Sequence, residues 1–283
     1  MSVSQVSVPV FNDRIEKKFQ LGVRDSEVAT VWLELGSMLA PYGMVPVQEI
    51  TSVGSVYFDN KDYDLLRYSL YNRLFLVRLR AYELYGQTPE PISDYWVEVK
   101  TANDERRRKR RFRLTKSELL GFLEGGDITP NVFEHNQLDI QPSELRELYR
   151  ETQETILTLG LTPFILIVYK RIAFQNENER LSIDWDIQYY NVSTEVYEFS
   201  SWKDPIVSAA GRGGSVILEL KYLQGSVPVW FSELRRRYPI REKECLKTLE
   251  GMGILFHGNL KHHRQANFFL PKIEAYMSNG RLG

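Results

Sequence analysis

Cysteine is nearly missing from this chain. Of 283 residues one is cysteine, Cys245. No disulfide can form within the chain, which excludes a stapled extracellular scaffold. Histidine is scarce, with His135, His257, His262 and His263 the only four. His262-His263-Arg264 lacks metal-ligand spacing and reads as a solvated basic tail, so zinc is not expected. No apolar run approaches the roughly 20 residues that span a bilayer. The longest, Leu161 to Tyr169, is broken by Pro163 and suits a buried strand. The start, Met-Ser-Val-Ser-Gln, has no basic residues leading into an apolar run. No signal peptide is therefore expected, and the expected location is cytoplasmic. A Gly-x-Ser-x-Gly elbow is missing, and Cys245 reads as a core residue, so nucleophilic catalysis has no support. Gly211-Arg-Gly-Gly214 lacks the Gly-Lys-Ser/Thr ending of a phosphate loop and reads as a flexible connection. Net charge is missing too: 36 basic against 37 acidic residues give −1. A nucleic-acid binder usually carries a net basic face, so no nucleic-acid partner is expected.

What the chain does have is apolar material and clustered cations. A 43% hydrophobic fraction supplies a core for one or two domains. Leu74 to Tyr82 is apolar and β-prone, and side chains alternate faces along a strand. Phe75, Val77, Leu79 and Ala81 share one face, and Arg78 and Arg80 the other. The same parity recurs. Glu16 and Lys18 oppose Ile15 and Phe19. Glu98 and Lys100 oppose Val97 and Val99. Lys109, Arg111 and Arg113 oppose Phe112 and Leu114. Tyr169 and Arg171 oppose Leu166, Val168, Ile172 and Phe174. Arg180 and Asp184 oppose Leu181, Ile183 and Trp185. Glu219 and Lys221 oppose Leu218, Leu220 and Tyr222.

A half-solvated sheet also alternates polar with apolar residues. These polar faces, however, are dominated by Arg and Lys. If the sheet closes, they line an interior, where each unpartnered cation costs several kcal/mol. The carboxylates present are too few to balance them, and a polyanion is the expected counter-charge. Arg clamps phosphate through its planar fork and Lys adds a compact charge. The basic run from Glu105 to Arg113 is a strand by its parity with Phe112 and Leu114, rather than a nucleic-acid patch.

Helices are expected over 27–39, 62–71, from the Thr115/Glu118 capping box through Leu123, over 142–159, and at about 229–236 and 241–251. Leu145, Leu148, Ile156 and Leu159 form the stripe of the longest. Residues 87–93 are expected as a hairpin loop. The expected organisation is a lead-in over 1–12, one domain over 13–253 and a C-terminal tail over 254–283.

Several stretches then occur in a telling order. They are Glu-Lys-Lys-Phe at 16–19, Val-Tyr-Phe-Asp-Asn at 56–60, Val-Arg-Leu-Arg-Ala-Tyr at 77–82 and Trp-Val-Glu-Val-Lys-Thr at 96–101. Lys-Arg-Arg-Phe at 109–112, Tyr-Lys-Arg-Ile-Ala-Phe-Gln at 169–175, Arg-Leu-Ser-Ile-Asp at 180–184 and Leu-Glu-Leu-Lys at 218–221 follow. Over roughly 11–253 the chain resembles the VTC domain, the polyphosphate polymerase domain of the vacuolar transporter chaperone complex. That family sits among the CYTH-like triphosphate tunnel metalloenzymes.

The resemblance implies an α+β fold: an antiparallel β tunnel barrel with helices packed outside. It implies transfer of the ATP γ-phosphate to a growing polyphosphate chain, with Mn²⁺ or Mg²⁺. By position, it implies catalytic roles for Arg78, Arg80, Lys100, Arg171 and Lys221. Lys18, Lys109, Arg111, Tyr169, Arg180 and Lys247 would bind substrate, and Glu219 and Glu16 the metal. ATP, triphosphate or polyphosphate are the implied partners. Two departures stand out. The first strand reads Arg14-x-Glu16-x-Lys18 where hydrolytic tunnel enzymes have Glu-x-Glu-x-Lys, and Leu246 precedes Lys247 where the polymerase has serine. A triphosphatase of the same fold and a non-catalytic polyphosphate-binding module are the alternatives.

Overall fold

The structure is a computed structural model that describes residues 14–47, 49–71, 74–84, 94–103, 106–192, 208–223, 225–243 and 246–279. Strands and helices mix along the chain. In order they are β1 (Arg14–Leu21), α1 (Val28–Leu39), β2 (Val45–Pro46), β3 (Thr51–Asp59), α2 (Asp64–Leu70), β4 (Leu74–Leu84), β5 (Asp94–Asn103) and β6 (Arg106–Thr115). Then come α3 (Lys116–Leu123), α4 (Pro130–Asn136), α5 (Pro142–Leu159), β7 (Thr162–Gln175), β8 (Glu179–Asn191) and β9 (Ser208–Arg212). The chain continues with β10 (Val216–Leu223), α6 (Val229–Arg237), β11 (Ile240–Glu242), α7 (Lys247–His257) and α8 (Ala266–Asn279). The lead-in over 1–12, the loop over 87–93 and Cys245 lie outside the described residues. No helix among the described residues is long and apolar enough to cross a membrane.

The chain forms two compact units. The first gathers Met1–Ile50, Arg171–Trp185 and Ser215–Cys245, and the second the rest. In the first, the strand order is β11-β1-β10-β8-β7. The β1/β10 and β10/β8 pairs are antiparallel. The apolar parity face buries Phe19, Leu21, Leu181, Ile183, Leu218 and Leu220 against α1 residues Val28, Val31, Leu35 and Leu39, and against Trp230, Phe231 and Leu234 of α6. Full burial of each such side chain contributes about 1.5–3 kcal/mol.

In the second unit the order is β7-β3-β4-β5-β6. Here Val77, Leu79, Val97, Val99, Phe112 and Leu114 pack on Leu119, Phe122, Leu145, Leu148 and Ile156 from α3 and α5. The capping box forms as expected: Thr115 Oγ1 accepts from the Glu118 amide, and Glu118 Oε2 from the Thr115 amide at 2.8 Å. Leu159, expected in the α5 stripe, is instead exposed, because Gly160 turns the backbone left-handed (φ 58°) at the helix end.

The class is the mixed, antiparallel one expected, but neither unit's strand order returns to its first strand among the described residues. One reason is visible at the outer edge of β6. The Arg113 amide donates to Asn136 Oδ1 at 2.7 Å, and Asn136 Nδ2 donates to the Arg113 carbonyl at 2.8 Å. This fully buried α4 amide takes the place a neighbouring strand would hold.

Two further expectations change. The helix expected over 241–251 is a short strand followed by a helix starting at Lys247. Ile240–Glu242 pairs with Phe19–Leu21, and the Gly22 amide donates to the Pro239 carbonyl at 2.7 Å. An open sheet edge outweighed local helix propensity. The described part of the expected tail, as far as Asn279, is largely helical. Ala266, Phe269, Ile273 and Tyr276 form a buried stripe on α8, and Phe269 stacks on Phe256.

Candidate functional site

The second unit builds its basic face from register. Tyr57, Arg78, Glu98 and Arg111 stand opposite one another in a row across β3, β4, β5 and β6. The next row is Ser55, Arg80, Trp96 and Arg113. On the other side, Lys100 faces Lys109. Neighbouring strands lie about 4.8 Å apart and same-face residues about 6.7 Å, so these side chains are forced together.

Glu98 is the hub. Its Oε2 accepts from Arg78 Nε at 2.7 Å and, more closely, from Arg78 Nη2. Arg80 Nη1 is 3.8 Å from the same oxygen. Lys109 Nζ is 2.6 Å from Oε1, and Arg111 Nη1 4.0 Å. Arg78 also donates to the Tyr57 hydroxyl at 2.9 Å. Arg80 donates to Ser55 Oγ at 3.0 Å and to the Tyr169 hydroxyl at 3.2 Å. The Lys247 ammonium lies 4.5 Å from the centre of the Tyr169 ring. Arg78, Arg80 and Glu98 are buried, whereas the Lys109 and Arg111 side chains are 40% and 36% exposed.

The electrostatics follow. Burial alone would push the Glu98 carboxyl up, but Arg78, Arg80 and Lys109 overcome it and hold Glu98 well below the usual range. Although the Lys109 side chain is 40% exposed overall, its ammonium is drawn onto the buried Glu98 carboxylate, and desolvation there, then Arg78, Arg80 and Arg111, push Lys109 down to about 7 against the pull of Glu98. Burial pushes the Tyr57 phenol up, yet Arg78, Arg80 and Lys247 leave it below its ordinary value. At this phenol the three cations outweigh burial.

The first unit's charged face is closer to balance. Glu16 stands opposite Lys221, Lys18 opposite Glu219, and Arg180 opposite Lys221. Lys221 Nζ lies 2.9 Å from Glu219 and 3.3 Å from Glu16, and Lys18 3.6 Å from Glu16. Glu219 first, then Glu16, raise the Lys221 pKa against its burial. Arg171 grips Asp184 with two bonds of 2.5 and 2.7 Å.

Among the described residues no group of three or more His, Cys, Asp or Glu side chains is arranged to hold a metal. Glu16 and Glu219, the expected metal pair, converge on one ammonium and are therefore close together. Two carboxylates fit Mg²⁺ or Mn²⁺, hard ions that complete their shell with phosphate and water oxygens.

Of the expected site residues, the second unit brings together Arg78, Arg80, Lys109, Arg111, Tyr169 and Lys247, with Lys100 beside them on β5. The first unit brings together Glu16, Lys18, Glu219 and Lys221, with Arg180 opposite Lys221. Arg171 is bound to Asp184. Arg113 is drawn aside, donating to the His135 carbonyl. Sequence reasoning missed Glu98 as the shared anion, and missed Tyr57, Ser55 and Trp96 on the same face. The signal was there: parity puts Trp96 with Glu98 and Lys100, and Tyr57 falls in the quoted Val-Tyr-Phe-Asp-Asn stretch.

Known proteins resemble the chain as follows. The sequence profile of the VTC domain matches residues 8–252. Subunit 4 of the vacuolar transporter chaperone complex of Schizosaccharomyces pombe is 29% identical over 154 residues, covering 50% of this chain and 21% of that protein. The chain thus matches about a fifth of that relative's length. A protein of Bacillus halodurans provisionally assigned as an adenylate cyclase is 15% identical, with a TM-score of 0.43 over 83% of this chain and 94% of that one. A Pyrococcus horikoshii protein is 12% identical, with a TM-score of 0.34 over 79% and 88%.

Proposed function

The chain belongs to the VTC domain family, and from that premise we propose that it binds triphosphate and polyphosphate and transfers the γ-phosphate of ATP to a growing polyphosphate chain. The observation that carries this reading is the charge excess around Glu98. One buried carboxylate is shared by Arg78, Arg80, Lys109 and Arg111, so most of their positive charge is left for a linear anion.

Phosphoryl transfer asks a protein mainly for position and field. The exposed Lys109 and Arg111 would grip phosphate oxygens. Arg78 and Arg80, fixed by Glu98, Tyr57, Ser55 and Tyr169, would supply a rigid positive field that needs no rearrangement when charge develops. Lys247, beside Tyr169, and Lys100 would contact the same anion. In the first unit Lys18, Arg171, Arg180 and Lys221 carry the corresponding role in this reading. Glu16 and Glu219 would hold Mn²⁺ or Mg²⁺, which when bound would neutralise phosphate charge. A cytoplasmic location belongs to the same proposal.

The test is incubation with ATP and Mn²⁺ or Mg²⁺, followed by electrophoretic sizing of phosphate chains. Chains lengthening with time support the reading. Free phosphate without chains indicates a triphosphatase. The second reading, a non-catalytic binding module, draws on the ion pairs that already occupy Arg171 and Lys221. It predicts tripolyphosphate binding that salt weakens, with no turnover.

A further inference from the structure

One residue of the basic face is neither charged nor accounted for by phosphate binding. Trp96 stands between two arginines in register, with Arg80 opposite it on β4 and Arg113 opposite it on β6. Arg111, one step along β6 on the same face, lies over the indole, its guanidinium carbon 4.1 Å from the ring centre. The Arg113 guanidinium is at 5.8 Å. The Tyr57 and Tyr82 rings lie further off, 5.6 Å from Arg78 and 6.0 Å from Arg80, and the close contacts that fix those two guanidiniums accept their N–H groups. Arg78 is held by Glu98 and Tyr57, and Arg80 by Ser55 and Tyr169. Arg111 is held by its face instead. Among the described residues its N–H groups make no hydrogen bond, and Glu98 stays 4.0 Å away.

The distinction has chemical content. A carboxylate holding an arginine cancels its charge and occupies its donors. An aromatic ring holds the cation through its quadrupole, leaving the charge and the in-plane N–H fork intact. We propose that Trp96 is a positioning residue that clasps Arg111 by its face, so that the arginine reaches an incoming phosphate with its fork unspent. This rests on the phosphate-binding reading and deepens it. It also assigns a division of labour: Arg78 and Arg80 set the field, while Arg111 makes the bidentate grip.

The experiment compares the full chain with Trp96→Phe, Trp96→Leu and Arg111→Ala. The probe is inorganic tripolyphosphate in calorimetry, with urea unfolding run alongside. Side-chain NMR of the ¹⁵N-labelled arginines reads the clasp without ligand. In the wild-type protein the Arg111 Nε–H resonance, identified by its loss in Arg111→Ala, should be shifted upfield by the indole ring current. Trp96→Leu should abolish that shift and weaken tripolyphosphate binding about tenfold, the worth of one cation–π contact. Trp96→Phe should keep affinity within about threefold, because a smaller ring still offers a π face. If Trp96→Leu loses the shift yet binds tripolyphosphate like the wild type, the positioning role is overturned and the phosphate reading stands. If Phe and Leu weaken binding equally at equal stability, the ring acts as packing and the proposal fails. A wild-type chain that does not bind tripolyphosphate overturns both.

Discussion

Glu98 Oε2 and Arg78 Nε meet at 2.7 Å across the β4/β5 pair, with both side chains buried. The carboxylate is also within ion-pair reach of Arg80, Lys109 and Arg111. Removing one member of a buried pair leaves the other charge stranded, which costs about 3–5 kcal/mol. Glu98→Gln should therefore lower the melting temperature while keeping the side chain's shape. Tripolyphosphate should then raise that temperature by more in the variant than in the wild type, since the ligand replaces the lost anion. Differential scanning fluorimetry with and without the ligand checks this, and equal ligand shifts in both proteins would contradict it.

Burial separates the arginines into two kinds. Arg78→Ala should destabilise the fold by about 3–5 kcal/mol, because it strands Glu98. The like charge of Arg80 by itself would make this substitution relieve repulsion; the Glu98 contact reverses the sign. Arg111→Ala should change stability by about 1 kcal/mol or less, as a partly exposed contact. It should nonetheless weaken tripolyphosphate binding more than tenfold, the value of a lost charge-assisted contact. Urea titrations paired with calorimetry separate the two.

Lys109, pushed down to about 7, makes the site respond to pH. Between about pH 7 and the ordinary lysine value the unfolded chain holds a proton that the folded chain has released. Stability from this group should therefore rise with pH across that window. Affinity for tripolyphosphate should move oppositely, strongest below about 7 and falling above it as the ammonium is lost. Lys109→Met should flatten the affinity profile between pH 6 and 8. A profile in Lys109→Met as steep as the wild type's would rule out this residue as its source.

Gly251 lets α7 lie against the strands that carry Tyr169 and Tyr189. A Cβ there would come within 2.5 Å of both Ile165 Cδ1 and Tyr189 Cδ1. Ile165 and Tyr189 are fully buried and have nowhere to retreat. Gly251→Ala should destabilise by about 1–3 kcal/mol through overpacking. It should also displace Lys247, one turn earlier on α7, from Tyr169. A loss of tripolyphosphate affinity exceeding that of Lys247→Ala would show that helix position, and not the lysine alone, matters.

Much of this was legible from period and parity. Arg78 beside Arg80, and Lys109 beside Arg111, share a face because a strand repeats every two residues, whatever its neighbours. The Thr115/Glu118 cap was legible for the same kind of reason, as its partners lie three residues apart. The α8 stripe of Ala266, Phe269, Ile273 and Tyr276 was equally local and was overlooked among polar residues. The start of α7 was not legible. Ile240–Glu242 became a strand because β1, more than 200 residues earlier in the sequence, offered an open edge.

By itself, then, the order of residues determined which side chains point together along each strand, since alternation is a property of the backbone alone. Which strands became neighbours, and in what register, was decided by tertiary packing. That packing placed Glu98 between Arg78 and Lys109, and Trp96 beneath Arg111. A charge's partner is set by distance through space, and distance across a sheet has no counterpart in sequence separation.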